Sequence, residues 1–251
     1  MNPLLRGAAA PLVVGHRGAA AVAPENTMPA FDAAWAAGAA WIEADVQPTA
    51  DGVPVMLHDD DVDRTTNGRG PVRSIGRDAL EQLDAGAWFG PQFAGTRVPL
   101  LDQLLGTITA GRSLLLEIKG PHTRRQLETV IEAIAARRPA GTVFLESFEV
   151  PALELVRQLL PTEPVGLLVE RIGDDPVADC RRLGATAYNP HVLDLLDHPD
   201  LVAELHESGI AVMVWTADHP ELWAALTELG VDAIITNDPG ALVTWQAARQ
   251  V

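Results

Sequence analysis

Short apolar runs recur along the chain at 12–15, 41–46, 114–119, 142–147, 165–170, 185–189, 211–216 and 233–237. Each is rich in β-forming residues and too short to be a helix, so each predicts a strand. Between them the apolar residues fall at helical spacing, as in 122–138, 151–160 and 219–229. A first helix is expected to end at about Gly38, with Asn26 or Thr27 as its cap. Gly184, Gly209 and Gly230 stand where a helix must stop before the next strand. Apolar runs alternating with helices read as parallel strands buried on both faces.

Eight such units predict an α/β fold, a (β/α)8 TIM barrel, with a doubly wound open sheet as the alternative. Neither a GxGxxG nor a P-loop follows the first strand, which counts against nucleotide binding. One segment breaks the rhythm. After Asp51-Gly52 the run PVML predicts a short returning strand. About 59–99 reads as an insertion on the same rim, with Trp88, Phe89 and Phe93 as a modest apolar lip. Nothing resembles a linker, so 1–251 is expected to form a single domain.

Of the 251 residues, 47% are hydrophobic, enough to fill a barrel core. There are 34 Asp and Glu against 18 Lys and Arg, a formal net charge of −16. Such a surface repels nucleic acid and anionic lipid, but leaves room for a small anion in a locally positive pocket. Cys180 is the single cysteine, which excludes a disulfide framework and a cysteine-based zinc site. No signal-peptide pattern and no long apolar span is legible. The expectation is a cytoplasmic protein without stable membrane association.

Chemistry-capable residues collect at the strand ends, where the loops of a barrel build its active site. His16 and Arg17 close the first strand, Glu43 and Asp45 the second, Glu117 and Lys119 the third. Glu146, Glu170, Asn189, Trp215 and Asn237 end later ones. A spacing of two puts Glu43 and Asp45 on one face, and likewise Glu117 and Lys119. If those faces point into the barrel, three carboxylates converge and need a counter-charge. A hard divalent cation, Mg²⁺ or Ca²⁺, is their natural partner. With Arg17 and Lys119 it makes a positive floor for a phosphate, and His16 and His58 at the rim are suited to acid/base cleavage of a phosphodiester. His191, His198, His206 and His219 are read as structural, and Asp59-Asp60-Asp61 as a solvated turn.

The elements GHRG (15–18), PENT (24–27), IEADVQPTADGVPVMLHDDDVDRTTNGRG (42–70), VPLLDQLL (98–105), LLLEIKG (114–120), VMVWTAD (212–218) and IITNDPG (234–240) run through nearly the whole chain. In this order they resemble the glycerophosphodiester phosphodiesterase family. The resemblance implies a TIM barrel with an insertion after strand two. It also implies metal-dependent hydrolysis of glycerophosphodiesters to glycerol 3-phosphate and an alcohol, and the acidic surface without a membrane-facing basic run favours small soluble ones. By the same resemblance His16 and His58 are the acid/base pair, and Glu43, Asp45 and Glu117 hold one divalent cation. Arg17 and Lys119 bind the phosphate, Trp215 lines the glycerol side, and Glu25 and Asn26 support the cluster. The family often has Asn after the VWT-like element, where this chain has Ala217-Asp218. Which imidazole is the base stays open, as does attack by water or by the substrate's own hydroxyl. The competing readings are a relative acting on lysophospholipid or sphingolipid headgroups and a non-catalytic phosphodiester-binding barrel.

Overall fold

The computed structural model describes residues 2–7 and 9–249. Its strands are β1 (Leu12–Gly15), β2 (Trp41–Pro48), β3 (Pro54–Met56), β4 (Ser113–Ile118), β5 (Val143–Ser147), β6 (Val165–Val169), β7 (Ala185–Pro190), β8 (Ala211–Val214) and β9 (Ala233–Thr236). All but β3 run parallel to their neighbours, and β1 pairs with β9 on one side and β2 on the other, which closes an eight-stranded barrel. Closure removes both sheet edges and rules out the open-sheet alternative. The helices are α1 (Met28–Ala36), α2 (Arg77–Leu80), α3 (Leu101–Leu105), α4 (Arg124–Arg137), α5 (Val150–Leu159), α6 (Pro176–Leu183), α7 (Val192–Leu196), α8 (Leu201–Glu207), α9 (Pro220–Leu229) and α10 (Pro239–Ala247).

Strand parity sorts the core into two parts. Ile42, Ala44 and Val46 of β2 and Leu114, Leu116 and Ile118 of β4 face outward and pack with the helices. Trp41 and Leu115 face inward and fill the barrel floor with Val14, Phe144, Met213 and Ile235. Two and four residues further along β2, and two further along β4, the same inward parity brings up Glu43, Asp45 and Glu117. The apolar floor thus dictates where the carboxylates point.

The antiparallel strand after the Asp51-Gly52 turn is β3, and its pairing of Val46 with Met56 and Pro48 with Pro54 carries β2 two residues past the run at 41–46. Beyond it, 3₁₀ turns and the short α2 wrap a small core of their own, including Leu57, Val62, Val72, Leu80 and Val98. Trp88 on that segment is 43% exposed and packs edge-on against Phe89, which meets Phe93 the same way. Gly184 and Gly230 end α6 and α9 in the left-handed conformation, at φ 65° and 78°. The cap expected for α1 is different: Thr27 holds the capping position, but neither its side chain nor that of Asn26 caps. Thr27 Oγ1 donates to the Pro24 carbonyl, and Asn26 turns to Asp45. No helix among the described residues is long and apolar enough to cross a membrane.

Candidate active site

The turn after β1 is built to aim its side chains. Arg17 and Asn26 both adopt left-handed backbone conformations, at φ 51° and 54°, uncommon for residues with a Cβ. The Arg17 N–H donates to Glu43 Oε2 at 2.8 Å, and the Asn26 N–H to the Arg17 carbonyl at 3.0 Å. The Arg17 guanidinium then reaches Glu25 Oε1 at 2.7 Å and Asp45 Oδ2 at 3.3 Å. Asn26 Nδ2 donates to Asp45 Oδ2 at 2.7 Å, and its Oδ1 accepts from the Asp45 N–H at 3.1 Å. Glu25 and Asn26 therefore brace the arginine and the aspartate.

One cleft of ≈ 410 Å³ at the mouth of the barrel is lined by His16, Arg17, Glu43, His58, Glu117, Lys119 and Trp215. Asp45 lies behind them, tied to Lys119 Nζ at 3.7 Å, while Lys119 also meets Glu117 Oε1 at 2.9 Å. Glu43, Asp45 and Glu117 offer ligand atoms within 4.8 Å of one another. All ten residues singled out in the sequence thus share one site or brace it. Several others join them. Gln47 donates to the carbonyls of Leu57, His58 and Asp59, fixing the loop that carries the second imidazole. Asp59 is no merely solvated turn residue: its Oδ1 sits 2.7 Å from His58 Nδ1. Arg64 grips Asp59 and Glu25 together, each with two hydrogen bonds. Glu146 and Phe148 also line the cleft, and Asn189 donates to Glu146. Trp215 spends its Nε1–H on the Asn189 carbonyl at 2.9 Å, so it offers the cleft an apolar surface.

Burial and charge spread the acidities widely. Burial pushes Glu43 well above the usual carboxylate range, and Asp45 and Glu117 add to the effect. Glu117 rises for the same reasons, burial first and Asp45 next. Burial would raise Asp45 too, but Arg17, His58 and Lys119 outweigh it and hold its carboxyl at about 2. Glu146 is pushed up to about 8, chiefly by burial. His16 is lowered to about 4 by burial and by Arg17. His58 is lowered by burial as well, against the pull of Asp45.

A profile of the Glycerophosphoryl diester phosphodiesterase family matches residues 16–241, from the first imidazole to the start of α10. The chain belongs to that family. It is 36% identical over 238 residues to a glycerophosphodiester phosphodiesterase of Caldanaerobacter subterraneus, covering 92% of this chain and 96% of the relative. An Oleispira antarctica phosphodiesterase, solved in complex with the product sn-glycerol-3-phosphate, superposes with a TM-score of 0.89 at 27% identity, covering 95% of this chain and 97% of that one. A glycerophosphodiester phosphodiesterase from Agrobacterium tumefaciens gives 0.83 at 28% identity, with 93% and 99% covered.

The donor set suits the divalent cation that such a family implies. Glu43 Oε1 is buried without a hydrogen-bond partner, and Asp45 Oδ1 has none either, only the Lys119 ammonium at 3.7 Å, an arrangement that costs free energy unless something positive meets the pair closely. Oxygen-only donors select a hard ion.

Proposed function

We propose that this phosphodiesterase hydrolyses small, water-soluble glycerophosphodiesters to glycerol 3-phosphate and an alcohol, with His16 and His58 as its acid/base pair. One divalent cation, Mg²⁺ or Ca²⁺, is held by Glu43, Asp45 and Glu117. The observation that carries this reading is the meeting of two imidazoles from separate segments in one cleft with Glu43, Glu117, Arg17 and Lys119. The product bound in the Oleispira relative supports the product class. When bound, the cation polarises a phosphoryl oxygen as a Lewis acid.

The rest of the chemistry falls to side chains. Arg17 and Lys119 orient the diester and offset charge building on the non-bridging oxygens. His16, lowered to about 4, is neutral at physiological pH and takes the proton of the attacking hydroxyl, from water or from the substrate's glycerol. Asp59 on its Nδ1 works against the lowering of His58 by burial, so the doubly protonated fraction of His58 gives its Nε2 proton to the leaving alkoxide and is reprotonated from solvent. One P–O bond forms as another breaks, and hydrolysis consumes one water. Trp215 packs against the glycerol carbons.

The segment at 59–99 works with the barrel as one unit, joined to the site through Arg64. A surface of net charge −16 fits a soluble diester better than a bilayer or a nucleic acid. A single, buried cysteine accords with a cytoplasmic setting. Release of glycerol 3-phosphate from glycerophosphocholine, with EDTA and after adding back Mg²⁺ or Ca²⁺, tests the reading. Activity is expected to vanish in EDTA and return with metal; EDTA-resistant hydrolysis would remove the cation from the mechanism.

A further inference from the structure

We infer, building on the acid/base role proposed for His16, that Asp218 is a positioning residue that fixes the tautomer of His16 through the side-chain amide of Asn237. Asp218 follows β8 outside the residues that line the cleft. It stands where the family often has Asn, and its carboxylate meets three donors. Oδ1 accepts from the Asn237 backbone N–H at 2.8 Å and from Thr236 Oγ1 at 3.0 Å. Oδ2 accepts from Asn237 Nδ2 at 2.7 Å. The other end of that amide, Asn237 Oδ1, lies 2.8 Å from His16 Nδ1.

Taken alone, the Asn237–His16 contact is satisfied in two ways. The amide can present its oxygen to an Nδ1–H, or its NH2 to a bare Nδ1, because amide ends and imidazole tautomers both exchange. Asp218 removes the choice. A carboxylate only accepts, so the NH2 of Asn237 must turn to Asp218 and its oxygen to His16. Nδ1 then carries the proton and Nε2 keeps a lone pair. Nε2 is the nitrogen nearer the carboxylate triad, 3.9 Å from Glu43 Oε2. Asp218 thus delivers His16 to the cleft as a base.

The substitution Asp218→Asn keeps the shape and inverts the logic. The backbone N–H of Asn237 cannot become an acceptor, so the introduced amide must offer it the oxygen. The introduced NH2 then faces the NH2 of Asn237. Asn237 turns over, presents NH2 to His16 Nδ1, and the ring proton moves to Nε2, where the lone pair is lost. The double variant D218N/N237D exchanges carboxylate and amide. The carboxylate it places at position 237 accepts from Nδ1–H and restores the tautomer.

The experiment is ¹⁵N NMR of the His16 ring in each folded protein at pH 8 without metal, alongside kcat on glycerophosphocholine with metal. We expect Nδ1–H in wild type, Nε2–H in D218N and Nδ1–H in the double variant. We expect kcat to fall at least about tenfold in D218N, part of the roughly hundredfold or more that a general base contributes, and to recover most of that loss in the double variant. If D218N does not fold, Asn237→Ala serves: it leaves Nδ1 without the amide and should give a mixed tautomer. An Nδ1–H ring in D218N, or in N237A, overturns the inference, as does a double variant no faster than D218N. His16→Ala with near wild-type kcat would instead overturn the acid/base reading, and the spectra would still judge the positioning role on their own.

Discussion

His58 reaches the cleft from a loop beyond β3, so its orientation depends on the groups that hold it. Gln47 anchors three successive carbonyls around it, and Asp59 takes its Nδ1. Asp59 is itself held well below the usual carboxylate range, first by its hydrogen bonds to Arg64, so it stays charged throughout the working pH range. His58→Ala should lower kcat by roughly a hundredfold or more, the usual scale for a general acid–base group. Asp59→Asn keeps a hydrogen-bond acceptor but removes the charge that favours the imidazolium, and should cost on the order of tenfold in kcat with little change in KM, since charge-assisted bonds are about twice as strong as neutral ones. Steady-state kinetics on glycerophosphocholine measure both, and a kcat for H58A near wild type would return His58 to a structural role. Period-two spacing makes Glu43, Asp45 and Glu117 legible from sequence, because an inward face is a local property. Asp59 is not legible: three consecutive aspartates do not say which will meet an imidazole. Arg64 is hidden for a related reason, since its partner Glu25 lies 39 residues away.

Elements hold the site through backbone approach as much as through side chains. Gly18, in the turn between β1 and α1, has φ 86°, and a Cβ there would stand 2.5 Å from the Ala30 carbonyl carbon inside α1. The helix could clear it only by moving, and Arg17, Glu25 and Asn26 would move with it. Gly52, at φ 79° in the turn before β3, has open space around the same position. Gly52→Ala should therefore cost only the left-handed strain, about 1–2 kcal/mol. Gly18→Ala adds overpacking of typically about 1–3 kcal/mol to that strain, and should also depress kcat, which Gly52→Ala should not. Urea titrations and kinetics compare the pair; equal losses of stability would mean that α1 yields freely. At this scale sequence periodicity is accurate for strands and helices whose apolar period is strong. It is coarse over 59–99, where 3₁₀ turns and one four-residue helix carry no period, and a small separate core holds the chain. The capping of α1 escapes a local reading because Asn26 has a tertiary partner, Asp45, that outcompetes its own helix end.

The whole molecule buries Glu43, Asp45 and Glu117 together beside Arg17 and Lys119 in a chain of net charge −16, and the cost of that arrangement depends on pH. Glu43 and Glu117 hold their protons well above the usual carboxylate range in the metal-free fold, through burial and then the charge of Asp45. A raised carboxyl contributes stability that is fully present below its unfolded pKa, near 4.5, and lost as pH rises through the folded value. The metal-free protein should therefore lose this contribution from weakly acidic pH upward. A cation needs the ionised carboxylates and competes with their protons, so its affinity must grow over the same interval. Binding to the native state adds RT ln(1 + [L]/Kd), about 2.7 kcal/mol at a hundredfold excess over Kd. The rise in Tm caused by Mg²⁺ or Ca²⁺ should be small at pH 5 and increase towards pH 8. Glu117→Gln removes one of the repelling charges and one ligand. It should leave the metal-free protein at pH 8 as stable as wild type or more so, while abolishing most of the metal-dependent shift and most of the activity. A carboxylate cluster held only by its ion pairs gives the opposite pattern, because Glu117→Gln then breaks the 2.9 Å contact with Lys119 and lowers stability without metal. Thermal melts of both proteins in EDTA and in each cation, at pH 5 and pH 8, separate the two. A wild-type melt indifferent to both cations at pH 8 would end the case for a metal site on Glu43, Asp45 and Glu117.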